Sequence, residues 1–322
     1  MLNSGLQLIR LKYKQPAMYE GIGLALHLPQ YLSFIFTNEP VSELTSIGCH
    51  TMLWDFEGHD YHSWVYREQL NLLFPPIHSA SSVFQVAFGQ KKINVGTGLH
   101  DSSAALIPYL TTISEPFILL STGTWCIAMN PFMQEPLTSE ELDQDTLCYI
   151  TYKGQYVKAS RLFLGHEHQE QVDRLCTHFG SGQKKIGSIE YNPGYLSALI
   201  QLPETSYIGS NGLMVSGFDS RNLRDYKDFE SAYHVLIHDL VSLQVKSISI
   251  VQDKNIRSIY VDGGFSRNYI FMKMLALALP ELKVFMADTS QASELGSAMS
   301  IHEHWNMNDV PPLLLNVKQV KV

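Results

Sequence analysis

The chain has 322 residues, 45% hydrophobic and 17% charged, enough apolar material for one large or two modest domains with cores of their own. Its 23 Lys and Arg against 31 Asp and Glu leave a net charge of -8, the wrong sign for the basic stripe of a nucleic-acid binder. Cys49, Cys126, Cys148 and Cys176 lie far apart with no Cys-x-x-Cys pair, so reduced, buried thiols are expected rather than disulfides or metal ligands. The opening "MLNSGLQLIRLKYKQP" mixes basic and apolar residues at helical spacing, unlike a signal peptide. The apolar runs look too short and interrupted to span a membrane, so a soluble, cytoplasmic protein is expected.

In chain order, residues 5–36 read as helices, with Leu6, Ile9 and Tyr13 at helical spacing, a break at Pro16, and a fresh start in "LHLPQYLSFIF". Residues 42–55 read as a loop. "YHSWVYREQLNLLF" reads as one amphipathic helix closed by Pro75 and Pro76. "SSVFQVAF" and "KKINVGTG" are strands, and "SSAALIPYLTTI" is the helix that follows. "PFILLSTGTWCIAMN" and "LCYITYKGQYVKAS" are hairpins; "HEHQEQVDRLCTHF" and "YHVLIHDLVSLQVKSISIVQDK" are helices. "RSIYVDGGFSRNYIFMKMLALAL" and "KVFMADTSQASELGSAMSIHEHW" each read as strand, loop and helix. The second half is therefore α/β, with a boundary near 111–116.

Three stretches carry possible chemistry. "NVGTGLHDSSAAL" ends a strand in a glycine turn and presents His100 and Asp101 at the start of a helix. Asp101 suits either an N-cap or a catalytic carboxylate. "STGTW" gathers backbone N–H groups and the hydroxyls of Ser121, Thr122 and Thr124 around Gly123, an anion cradle or a plain hairpin turn. "VDGGFSRN" brings Gly263 and Gly264 to a strand end before Ser266 and Asn268, where a flat ring or a phosphate could press on bare backbone, or where the chain simply turns. The pairs His166/His168 and His302/His304 fall in helical stretches, where i and i+2 face apart, so no metal site is expected. No Gly-x-Ser-x-Gly elbow is present, which leaves nucleophilic hydrolysis without support.

The ordered set "GLHDSSAAL", "STGTW", "VDGGFSRN" and "SELGSAM" resembles the FGGY family of carbohydrate kinases, and the His-Asp pair with the Ser-x-Gly-Thr-Trp turn resembles its rhamnulokinase and fuculokinase branch. The resemblance implies an α/β, actin-like (ribonuclease-H-like) ATPase fold, with two domains flanking a nucleotide cleft. Residues 1–113 would be the remainder of a sugar-side domain and 114–322 the nucleotide-side domain. It implies ATP-dependent phosphorylation of a sugar such as L-rhamnulose or L-fuculose, with Asp101 as general base and His100 as a sugar contact. Ser121, Thr122, Gly123 and Thr124, with Gly263, Gly264, Ser266 and Asn268, would hold ATP, and Mg²⁺ would bridge phosphate oxygens with no dedicated protein cage. The family's opening Asp-x-Gly-Thr-Ser motif has no match here. The first domain is therefore expected to be incomplete, with weak activity alone: the chain is a truncated fragment, its start is misassigned, or a second polypeptide or self-association completes the domain. The competing expectation is an inactive relative that binds sugar or nucleotide for regulation or assembly.

Overall fold

A computed structural model of the chain describes residues 3–195, 206–209, 212–287, 291–309 and 315–321. The first third is built from short pieces: α1 (Gly5–Lys14), α2 (Pro16–Glu20), α3 (Leu28–Thr37), β1 (Ser42–Glu43), α4 (Leu44–Ile47), β2 (Trp54–Asp55), β3 (Asp60–Tyr61), α5 (Ser63–Arg67) and β4 (Ile77–His78). The expected loop over 42–55 is in fact structured: β1 pairs in parallel with β4, and Thr45, Ser46 and Ile47 are buried. The single helix expected over 61–74 is broken. After α5, Gln69 takes a left-handed conformation at φ 56°, and a 3-10 turn over 70–73 follows. The antiparallel hairpin β5 (Val83–Phe88) and β6 (Lys91–Gly96) then leads through residues 97–100 into α6 (Asp101–Thr112).

The remainder is organised on one sheet. Its strands are β7 (Phe117–Thr122), β8 (Cys126–Asn130), β9 (Thr146–Ile150), β10 (Tyr156–Leu162), β13 (Ser258–Gly263), β14 (Lys283–Ala287) and β15 (Val317–Gln319), in the order β15-β14-β13-β7-β8-β10-β9. The trio β14, β13 and β7 is parallel and the other neighbours are antiparallel, so both expected hairpins form. Interspersed are α7 (Ser139–Asp143), α8 (Leu164–Phe179), the small hairpin β11 (Tyr207–Ile208) and β12 (Met214–Val215), α9 (Phe229–Val251), α10 (Tyr269–Ala278) and α11 (Ala292–Ser300). The polar loop read between β14 and α11 includes residues 288–290, which lie outside the described residues.

Strand geometry explains the layers, because alternate side chains leave opposite faces. Ile118 and Leu120 of β7 join the core formed with α8, α9 and α10, while Phe117 and Leu119 join Leu106 and Tyr109 of α6 on the other face. Helix α9, 23 residues with a mean hydropathy of 1.2 in its most apolar window, is long and apolar enough to cross a membrane by length and composition, contrary to the sequence expectation. In the fold it is the central core helix, with 67% of that window buried. All four cysteines are free thiols, Cys49 and Cys126 buried and the other two half-buried.

Helix α11 returns to the first third of the chain and packs against α6. Pro108 lacks the N–H that would bond the Ala104 carbonyl within α6, and Gly296 lies against that carbonyl. A Cβ on Gly296 would stand 1.8 Å from the Ala104 oxygen, so only glycine permits this crossing.

Candidate active site

The turn from β6 into α6 is held by polar side chains from three helices. Gly98 has φ 83°, and a Cβ there would meet the Pro29 carbonyl at 2.5 Å. The buried Gln30 of α3 donates to the Gly98 carbonyl at 2.9 Å, and Ser33 donates to that of Gly96 at 2.6 Å. From α4, Thr45 Oγ1 accepts the His100 N–H at 2.9 Å; from α11, Ser293 donates to the Asp101 carbonyl at 3.0 Å. Helix α3 therefore turns its polar side inward. Its apolar stripe, Leu28, Tyr31, Leu32, Ile35 and Phe36, is 49–69% exposed.

The N-cap alternative for Asp101 does not hold: His100 is the N-cap of α6, and Asp101 is its first residue. The Asp101 side chain is 81% exposed, and its Oδ1 accepts the Ser102 N–H at 2.7 Å. The His100 Nδ1 lies 3.4 Å from that oxygen without hydrogen-bond geometry and is buried with no partner. Around it stand two residues the sequence did not flag. The rings of His50 and Tyr149 lie 6.3 and 5.9 Å from that of His100, and the Tyr149 hydroxyl is 3.3 Å from His50 Nε2. Burial lowers the pKa of both imidazoles, favouring neutral rings that can accept as well as donate. His50 also adopts φ 53°, a left-handed conformation uncommon outside glycine. Close by, Arg161 forms a two-pronged pair with Asp145 at 2.8 and 2.9 Å, its guanidinium 5.0 Å from the Trp125 ring.

The two glycine turns leave the sheet side by side, because parallel β7 and β13 align Thr122 with Gly263. Thr122 ties them together. Its Oγ1 donates to the Asp262 carbonyl and accepts the Phe265 N–H, and its carbonyl accepts the Gly264 N–H. Gly263 has φ 90°, and any Cβ there would lie 1.9 Å from the Thr122 oxygen. The N-terminal turn of α8 closes on the first of these turns: Gly165 packs on the Gly123 carbonyl, and the His166 N–H reaches Thr124 at 3.3 Å. Gly123, Thr124 and Gly264 are exposed, and a Cβ at either glycine would meet nothing nearer than 3.8 Å. The paired turns thus offer open backbone at the C-terminal ends of parallel strands, the place where α/β sheets take ligands.

Ser121 is half-buried at the end of β7. Ser266 and Asn268 are spent inside the fold: Ser266 donates to the Gly263 carbonyl, while Asn268 caps α10 and donates to the Tyr233 hydroxyl at 2.7 Å. His168 meets that same hydroxyl at 3.1 Å, and burial pushes its pKa down to about 4, so it is a core histidine. His302 and His304 are bonded to backbone carbonyls. Among the described residues no group of three His, Cys, Asp or Glu forms a metal cage. Asp262 was also missed. It receives the Tyr109 hydroxyl at 2.9 Å and so ties α6, which begins at Asp101, to the end of β13, where the second turn starts.

The fold matches solved carbohydrate kinases. A carbohydrate kinase from Novosphingobium aromaticivorans superposes with a TM-score of 0.78 at 22% identity, over 99% of this chain and 70% of that one. Ligand-bound xylulose kinase from Lactobacillus acidophilus gives 0.74 at 13% identity, over 98% and 66%. Plasmodium falciparum glycerol kinase with ADP gives 0.70 at 15%, over 95% and 64%. The chain thus spans about two thirds of the length of these structures. No curated protein matches it in sequence. Residues 114–206 match the family model of the carbohydrate kinase FGGY C-terminal domain, and the chain shares the actin-like α/β fold of these sugar kinases.

Proposed function

We propose that the chain is the sugar-phosphorylating part of an FGGY-type kinase, with a ketose or deoxyketose such as L-rhamnulose or L-fuculose as acceptor. The observation that carries this reading is the exposed Asp101 carboxylate beside neutral His100 and His50, on a helix tied through Tyr109 and Asp262 to the paired glycine turns. Residues 1–113 form the sugar side and 114–322 the nucleotide side.

In this reading the sugar occupies the space beside His50, His100 and Tyr149, whose unpartnered His100 Nδ1 suits a hydroxyl group. The acceptor hydroxyl gives its proton to Asp101 as its oxygen bonds the γ-phosphorus of ATP, and the bond to ADP breaks. Ser121, Gly123 and Thr124 would meet the phosphates, with Thr122 holding the two turns together behind them. Gly263 and Gly264 would meet the nucleoside through backbone, with Ser266 and Asn268 shaping that turn. Mg²⁺, carried on phosphate oxygens, would neutralise charge. The protein's own contribution is positioning, which is what the hydrogen bonds on the 96–101 turn supply.

The outward apolar stripe of α3, beside the two-stranded β5–β6 hairpin, would be covered by a second polypeptide or a second copy that completes the sugar side. Sedimentation velocity tests the second copy: Ile35→Glu is expected to shift associated material to monomer, and monomer for both proteins excludes self-association on this face. An alternative is a relative that binds nucleotide without turnover, favoured by the internal commitment of Thr122, Ser266 and Asn268. A coupled ADP-release assay with L-rhamnulose, L-fuculose and D-xylulose separates the two. The kinase reading expects slow turnover that Asp101→Asn abolishes while ADP binding persists; ADP binding without turnover in either protein supports the alternative.

A further inference from the structure

Resting on that kinase reading, we propose that Glu43 and Thr45 act as a positioning pair, fixing the backbone of His100 and hence the place from which Asp101 reaches its substrate. Neither residue is in the active site proper; both lie behind the turn, Glu43 1% and Thr45 0% exposed. A single carboxylate oxygen of Glu43, Oε2, receives the Thr45 N–H at 3.0 Å, the Thr45 hydroxyl at 2.5 Å and the Ser46 N–H at 3.4 Å. The Thr45 hydroxyl has one proton, which it donates in its hydrogen bond to Glu43. Its lone pairs are thereby left for the His100 N–H at 2.9 Å. The polarity of the relay runs one way, from the His100 amide through Thr45 to the carboxylate.

Capping alone does not account for the acid. Helix α4 has four residues, and a neutral serine or asparagine would cap it without burying a carboxylate. No positive charge figures among the influences on Glu43, and burial dominates them, raising its pKa. Its strand partner is His78 by the β1–β4 register. The titratable groups sharing its cavity of about 730 Å³ are His78, Tyr152, Lys153, His302, Glu303 and His304. The other supports of the turn act on carbonyls: Ser33 and Gln30 hold those of Gly96, Thr97 and Gly98, and Ser293 holds that of Asp101. Thr45 anchors the N–H of the N-cap residue itself, where α6 begins.

The test compares Thr45→Val, Thr45→Ser, Glu43→Ala and the double variant Glu43→Ala/Thr45→Val with wild type. Hydrogen–deuterium exchange at the His100 amide needs no turnover: it is expected to quicken at least about tenfold in Thr45→Val and to stay slow in Thr45→Ser, which keeps the hydroxyl. In the sugar-kinase assay Thr45→Val is expected to lower kcat by about 10- to 100-fold with little change in KM, with recovery in Thr45→Ser. The double variant should lose no more than the worse single variant, because the two residues act as one unit. A His100 amide that exchanges equally slowly in Thr45→Val, an unchanged kcat, or additive losses overturn the proposal. If Asp101→Asn leaves turnover intact, the base reading fails instead, and the exchange result still decides whether the pair holds the turn.

Discussion

Gly296 gives a quantitative test of how the two ends of the chain are joined. An alanine there would be favoured by intrinsic helix propensity by about 1 kcal/mol. The added Cβ, however, would lie 1.8 Å from the Ala104 oxygen, 2.7 Å from its carbon and 3.3 Å from Pro108 Cδ, where Cβ atoms do not approach within 3.0 Å. Helix α11 would have to move away from α6 by roughly 1.2 Å, and both surfaces at the clash are backbone, which cannot swing aside as a side chain would. Overpacking costs about 1–3 kcal/mol, and this geometry belongs at the upper end. The net expectation is a loss of about 2 kcal/mol, a fall in urea midpoint of roughly 0.7 M at a slope of about 3 kcal/mol/M. Gly182→Ala, where a Cβ meets nothing within 4 Å, serves as control and should be near neutral. A Gly296→Ala midpoint at or above wild type would refute the close crossing.

Burial pushes the Glu43 carboxyl up from 4.5 to about 7, so its contribution to stability is full below pH 4.5 and is lost as pH rises through 7. Glu43→Gln does not titrate there; its stability relative to wild type should rise by up to about 3 kcal/mol between pH 4.5 and 8 in urea unfolding, and a constant difference contradicts the buried acid. Gly263→Ala would place a Cβ 1.9 Å from the Thr122 oxygen in a left-handed conformation, opening the β7–β13 turns. Calorimetry should show ADP affinity reduced more than about tenfold, and unchanged affinity would remove the turn from the proposed nucleotide site.

The central sheet was legible because "PFILLSTGTWCIAMN" and "RSIYVDGGF" combine apolar runs with turn residues, and the fold uses both patterns locally. Helix α3 was legible as a helix but not in its orientation. Its apolar stripe would ordinarily be read as the inward face, yet Gln30 and Ser33 point inward, because the carbonyls of the 96–98 turn need donors there. Apolar spacing continues across residues 61–74, so nothing in it marks the left-handed Gln69 that splits the segment. At the site, His100 and Asp101 stood out because chain neighbours at a strand end share one location. His50 and Tyr149 reach the same place from 50 residues before and 49 after His100, brought there by the β9 strand and a strained turn, and no sequence spacing carries that information. Glu43 and Thr45 read as loop residues for the same reason.

In the proposed reaction Asp101 takes the proton from a sugar hydroxyl while the paired turns hold the nucleotide. The most direct measurement is phosphorus NMR of wild type and Asp101→Asn incubated with ATP, Mg²⁺ and L-rhamnulose or L-fuculose. A sugar-phosphate resonance is expected to grow slowly with wild type and not to appear with Asp101→Asn, although both proteins bind ADP. A sugar phosphate that accumulates equally with both proteins would contradict it.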